Sequence, residues 1–221
     1  MTSDWVRRSR VGVSAEAVAG AWARQEGAAH GSVVVIDHEV AGRLRGGTPA
    51  AGGSLAVIVR VELALRAHDR LWVAAQVAAT RAISTVSANM TVRAGWPDPV
   101  EIEGVPAAFV NVTCQLGPGR IELAIIALRA ADASLLPSAE CFRNEVLVAV
   151  DLAVNDFDLL ACEHTDRSAV QGRAVRVFLL PRGETRGTVT GVGPDGQLRI
   201  ETSTGMVELL DASSVRRVET A

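Results

Sequence analysis

The pattern of apolar residues changes near Arg167, and that change bounds what this chain can fold into. Before it, β-branched runs alternate with Ala/Leu/Val stretches at helical spacing; after it come only short strand-like runs divided by turn residues. The chain therefore reads as a mixed α+β domain over residues 1–166 followed by a small β domain over 167–221. A length of 221 residues suffices for a real hydrophobic core.

In the first part, Ser14 caps an alanine-rich amphipathic run that ends at Glu26, with Gly27 as its stop. Two strands, Ser32 to Ile36 and Ser54 to Leu65, flank a Gly/Pro-rich loop from Gly42 to Gly53. His68 to Ser87 is helical by the spacing of Leu71, Ala75, Ala78, Ala82 and Val86. Short strands follow around Val92, over Val100 to Glu103, over Ala107 to Thr113 and over Ile121 to Leu128. Ser138 to about Leu160 reads as one further helix, with Phe142, Val146, Ala149, Leu152 and Phe157 on or near one stripe.

The second part holds five short runs: Ala174 to Leu180, Thr185 to Val192, Leu198 to Thr202, Val207 to Leu210 and Val215 to Val218. Gly193-Pro194-Asp195-Gly196 and Ser203-Thr204-Gly205 supply the positive-φ positions that tight hairpins need. Strands this short are protected by closure, so a small β-barrel is expected.

Composition removes several kinds of chemistry. All 22 basic residues are arginine, so a Schiff-base lysine and a P-loop lysine are excluded. Tyrosine is absent too. The net charge of −3 spreads arginines among carboxylates, which disfavours nucleic acid as a partner. No apolar stretch follows Arg7, Arg8 and Arg10, and none reaches the roughly 18 residues of a membrane span. A cytoplasmic protein without a membrane partner is expected. Cys114, Cys141 and Cys162 lack CxxC spacing and read as reduced thiols, with no metal site.

In their order these segments resemble the biotin protein ligase family, within the wider biotin/lipoate ligase fold. Ala41-Gly42-Arg43-Leu44-Arg45-Gly46 resembles the family's A-G-R-G-R-x-G loop for biotin and adenylate. Trp96-Pro97-Asp98-Pro99 resembles its W-P-N-D motif, and Asp195-Gly196-Gln197-Leu198 resembles part of its C-terminal G-I-D-x-x-G-A-L run. The resemblance implies a mixed sheet with helices like that of class II aminoacyl-tRNA and biotin synthetases, then an SH3-like barrel. It also implies biotin and ATP as ligands, and pairing into homodimers.

The departures fall on the chemistry. Gly95 stands where the family has the lysine that holds the biotin carboxylate and the α-phosphate. A well-placed donor of that kind contributes about 2.7–4 kcal/mol to the transition state. Phe109 falls near a family glycine, and Ala127-Leu128-Arg129 replaces a strand end that carries asparagine. The loop after Arg45 lacks the tryptophan that closes over adenine, and Glu39 replaces a glutamine that pairs with the ureido ring.

The residues left as ligand contacts are Glu39, Gly42, Arg43, Arg45, Trp96, Asp98 and Arg129, with no catalytic residue among them. Arg43 and Arg45 suit forked hydrogen bonds to a carboxylate or phosphate, Asp98 suits orienting a ligand or capping its turn, and Arg129 is a candidate to restore lost positive charge. His38 is a further acid/base candidate beside Glu39. Three functions compete: a ligase-like protein that does not adenylate but holds a small carboxylic acid, acyl group or protein partner; a working acyl ligase with arginine for lysine; and an assembly subunit.

Overall fold

A computed structural model describes residues 5–40, 52–97 and 99–220. Strand β1 (Val6–Gly12) leads into helix α1 (Ala15–Gln25), then strands β2 (Val33–Glu39) and β3 (Ser54–Ala64) and helix α2 (His68–Val86). Strands β4 (Val92–Ala94), β5 (Pro99–Ile102), β6 (Val105–Gly117) and β7 (Arg120–Ala130) follow, then helices α3 (Ala139–Asn155) and α4 (Phe157–Arg167). The chain ends in β8 (Ala174–Leu179), β9 (Glu184–Val192), β10 (Leu198–Glu201), β11 (Val207–Leu210) and β12 (Val215–Thr220).

The first seven strands form one mixed sheet in the order β1-β2-β3-β7-β6-β5-β4. Only the β1–β2 pair is parallel, as the helical crossover α1 between them requires. The two faces carry two cores. On one side α1 sets Ala15, Ala19, Trp22 and Ala23 against Val34, Ile36, Ala56, Ile58, Ile125 and Ala127. On the other, α2, α3 and α4 pack in a larger core that includes Leu71, Ile83, Phe142, Val146 and Leu160. Helix α2 is rich in buried alanine, which lets it lie close to the strands. The last five strands form one antiparallel sheet, β11-β10-β9-β8-β12. Among the described residues no helix is long and apolar enough to cross a membrane.

Two expectations need correction. The helix expected over Ser138 to Leu160 is two helices, because Asp156 leaves helical backbone (φ −149°, ψ 68°) and its carboxylate accepts the amide of Leu159 at 3.3 Å. This caps α4, which runs on to Arg167. Residues 6–12 form an edge strand that the apolar pattern does not reveal. Its arginines point to partners instead of a core: Arg7 pairs with Glu26 and lies 4.1 Å from the centre of the Trp22 ring, and Arg8 pairs with Asp37 at 2.8 Å.

The second sheet is fixed to the first at defined points. Asp69, 3 % exposed at the start of α2, accepts the backbone amide of Ala212 at 2.8 Å. Arg70 donates to the carbonyl of Pro194 at 3.0 Å. Gly196 (φ +96°) sits against the backbone of Asp69 and Arg70, where an added Cβ would lie 2.3 Å from the Arg70 nitrogen. Only glycine fits that contact.

Candidate functional site

Register gathers the polar residues of the α1 face. Ser54, Arg129, Phe109 and Pro99 are directly paired across β3, β7, β6 and β5, so they share one face of the sheet. Above this row the N-terminus of α1 brings in Ser14, whose hydroxyl caps the helix by accepting from Ala17, and Glu16 in the first turn. From the end of β2, Glu39 reaches the same point.

These side chains satisfy one another. Arg129 Nε donates to Glu39 Oε2 at 2.9 Å, and its Nη2 donates to Glu16 and, at 3.3 Å, to Ser14 Oγ. Glu39 Oε1 accepts from Ser54 Oγ at 2.6 Å and from the Ala15 amide at 2.8 Å. Glu16 Oε1 accepts from Asn111 and, at 3.0 Å, from Thr113 Oγ1. The side chains of Arg129, Glu16 and Glu39 are 9 %, 14 % and 0 % exposed. Burial works against the Arg129 charge, but the Glu16 charge and the hydrogen bonds to Glu39 and Glu16 outweigh it and push its pKa upward. One arginine between two glutamates leaves the cluster with excess negative charge.

The segment bearing Gly95 and Trp96 is held from beneath. Gln76, fully buried on α2, donates its amide to the carbonyls of Gly95 and Pro97, the latter at 2.6 Å. With its nitrogen committed, Gln76 Oε1 accepts from His164 Nε2 at 2.6 Å. That fixes the His164 tautomer and leaves Nδ1 unprotonated, buried and without a partner among the described residues. Burial lowers the His164 pKa to about 4. The Trp96 ring meets the His164 ring edge-on, with centroids 5.9 Å apart, and Trp96 is only 2 % exposed. Gly95 leaves no room for a side chain, since an added Cβ would lie 2.5 Å from Pro99 Cγ.

Beside this segment a cavity of about 720 Å³ opens between the β4–β5 hairpin and β12. Arg93, Glu101, Arg173 and Glu219 line it together with Gly95 and Trp96. Desolvation raises the Glu101 pKa, opposed by the charge of Arg173.

Of the residues singled out from sequence, Glu39 and Arg129 are therefore brought into direct contact, while Trp96 packs on His164 beside the cavity. Gly42, Arg43, Arg45 and Asp98 lie outside the described residues. His38 is exposed and lines a separate cavity of about 610 Å³ with Arg8, Asp37 and Ser138. The residues that sequence reasoning missed are Asn111 and Thr113, Gln76, and His164 as a ring partner of Trp96. Asn111 and Thr113 alternate along β6 with buried valines, a period-2 signal that could have placed them on the α1 face.

Neither a family model nor a curated protein sequence matches the chain. Solved structures do, and they define the fold as that of the biotin protein ligases. A biotin protein ligase from Aquifex aeolicus in complex with biotin and ATP superposes with a TM-score of 0.71 at 13% identity, over 98% of this chain and 99% of that one. A biotin protein ligase-like protein of unknown function from Silicibacter gives 0.69 at 14% identity, over 94% of each chain. The biotin acetyl coenzyme A carboxylase synthetase from Helicobacter pylori gives 0.58 at 11% identity, over 92% and 98%.

Proposed function

We propose that this chain is a biotin protein ligase-like protein that does not adenylate an acid, with residues 1–166 as the ligase-like domain and 167–221 as an SH3-like barrel. The observation that carries this reading is the Arg129–Glu16–Glu39 cluster. At the positions where the resemblance expects ligand contacts, the side chains bind each other. An incoming carboxylate meets two buried glutamates and an arginine already spoken for. Gly95, at the expected lysine position, adds no charge, and Pro99 blocks a side chain there.

What this leaves is a role in binding: a small acyl ligand or a protein partner, with the resemblance favouring a homodimer. The mixed-charge cavity beside Trp96 supports the ligand variant, since it is open while the cluster is closed. Calorimetric titration with biotin, lipoate, octanoate and ATP, singly and as acid-plus-ATP pairs, tests the proposal alongside a pyrophosphate-release assay. No pyrophosphate is expected from any pair. Paired binding with pyrophosphate release would instead establish a ligase that uses arginine for lysine. An assembly role would show as silence in every titration.

A further inference from the structure

The β4–β5 hairpin turns alternate residues to one side, and on that side lies the cavity of about 720 Å³. Arg93 and Glu101 are directly opposite each other in the hairpin, and both line it. The facing wall is strand β12 and the segment after α4, which is tied to the hairpin where the Ala169 amide donates to the Ala94 carbonyl at 2.7 Å. That segment carries Arg173. Its backbone is fixed, since its amide donates to the Val170 carbonyl at 3.1 Å and its carbonyl accepts from Val189 at 3.0 Å.

The charges around the cavity fall into two sets. Glu103 and Glu219 are engaged: Glu103 Oε1 accepts the Thr91 amide at 2.5 Å, and Glu219 pairs with Arg217 at 3.0 Å. Arg93, Arg173 and Glu101 are left open. Arg93 makes one long hydrogen bond, 3.4 Å to the Ser168 carbonyl, and among the described residues it forms no ion pair with the carboxylate opposite. Glu101, half-buried, feels the charge of Arg173, yet neither side chain has a hydrogen bond or ion pair among the described residues. Trp96 also lines the cavity, and its buried indole N–H has no acceptor among the described residues. Two guanidinium groups and a carboxylate thus converge without closing on one another, the reverse of the Arg129 cluster.

Resting on the reading above that the ligand site is this cavity and not the closed cluster, we propose that it binds a small zwitterion with an apolar side chain, an amino acid or a short peptide with free ends. The ligand carboxylate accepts from Arg173 and Arg93, and the ligand ammonium donates to Glu101. Its side chain lies on the apolar lining, Pro99, Trp96, Val170 and Val218. A plain acid would satisfy the arginines but set a second negative charge beside Glu101, and a plain amine would leave both arginines unanswered. The site therefore selects for both charges on one molecule.

Calorimetric titration of the native chain at neutral pH compares leucine and leucyl-leucine with N-acetyl-leucine, which lacks the ammonium, and leucinamide, which lacks the carboxylate. The better zwitterion is expected to bind at least about tenfold more tightly than its blocked forms, and the ranking of the two tells amino acid from peptide. Glu101→Gln is expected to erase the advantage over N-acetyl-leucine, and Arg173→Gln to shrink the advantage over leucinamide, with folding checked by thermal melt. No binding of either zwitterion at about 10 mM, a zwitterion no tighter than the blocked forms, or an advantage unmoved in either folded variant would overturn the assignment; the native-chain series decides it even if a variant does not fold. Octanoate or N-acetyl-leucine binding as tightly as the zwitterions would also overturn it while leaving the acid-binding reading in place, whereas pyrophosphate release would overturn the non-adenylating reading and leave this comparison untouched.

Discussion

His164 offers a direct measure of how tightly the Gly95–Trp96 segment is held. Its Nε2 proton is committed to Gln76 and its Nδ1 has no acceptor among the described residues, so a second proton would create a buried, unpaired charge. The folded-state pKa of about 4 lies below the 6.5 of a free imidazole. The unfolded chain therefore binds a proton that the folded chain refuses. Stability from this group is complete above pH 6.5, declines as pH falls from 6.5 towards 4, and declines no further below that. The full difference is roughly 3 kcal/mol, at about 1.4 kcal/mol per unit. Urea unfolding from pH 7.5 to 4, compared between the native chain and His164→Gln, isolates the term by difference because every other titrating group is shared. The native chain is expected to lose that amount relative to the variant. Equal slopes, or a His164 ring that titrates near pH 6.5 by NMR, would refute the argument and with it the assigned tautomer.

Two further substitutions probe the α1 face. Gly95→Lys is expected to destabilise the protein by about 1–3 kcal/mol, because the new Cβ meets the Pro99 ring, and to give no adenylation; adding Pro99→Ala should recover part of the loss in a thermal melt. Arg129→Ala leaves the fully buried Glu39 carboxylate without its cation, and should cost roughly 3–5 kcal/mol in urea unfolding; a loss below about 1 kcal/mol would mean that the cluster is not the closed unit described.

The order of strands and helices was legible because each element carries its own period: the β-branched run of β3, the alanine spacing of α2 and the turn-punctuated strands after Arg167. What escaped was decided by partners distant in the chain. Strand β1 shows no apolar alternation because it lies at an edge and is made a strand by the backbone of β2. The break at Asp156 sits within an unbroken helical pattern, where an aspartate reads equally as a solvent-facing residue or as a cap. Resemblance singled out Glu39 and Arg129 separately, yet only the register of β2, β3 and β7 shows that they meet. Gln76 and His164 are 88 residues apart and have no shared local pattern at all.

The cluster also bears on affinity. A buried polar group must be satisfied, and a cleft can meet that demand with a ligand or with its own side chains. Here Glu39 already accepts three hydrogen bonds and Arg129 donates to three acceptors, so the cleft is complete as it stands. A carboxylic acid seeking Arg129 must first displace Glu16 or Glu39. Giving up the one charged hydrogen bond that the displaced glutamate makes to Arg129 costs about 1.5–3 kcal/mol, which lowers affinity by roughly one to two orders of magnitude unless the acid restores it. The acid cannot restore it fully, because the displaced glutamate stays nearby and repels it. Removing one glutamate charge should therefore help binding: Glu16→Gln, which spares the fully buried Glu39, is expected to bind octanoate more tightly than the native chain by calorimetry. Equal or weaker binding in a folded Glu16→Gln variant would show that something other than this internal pairing closes the cleft.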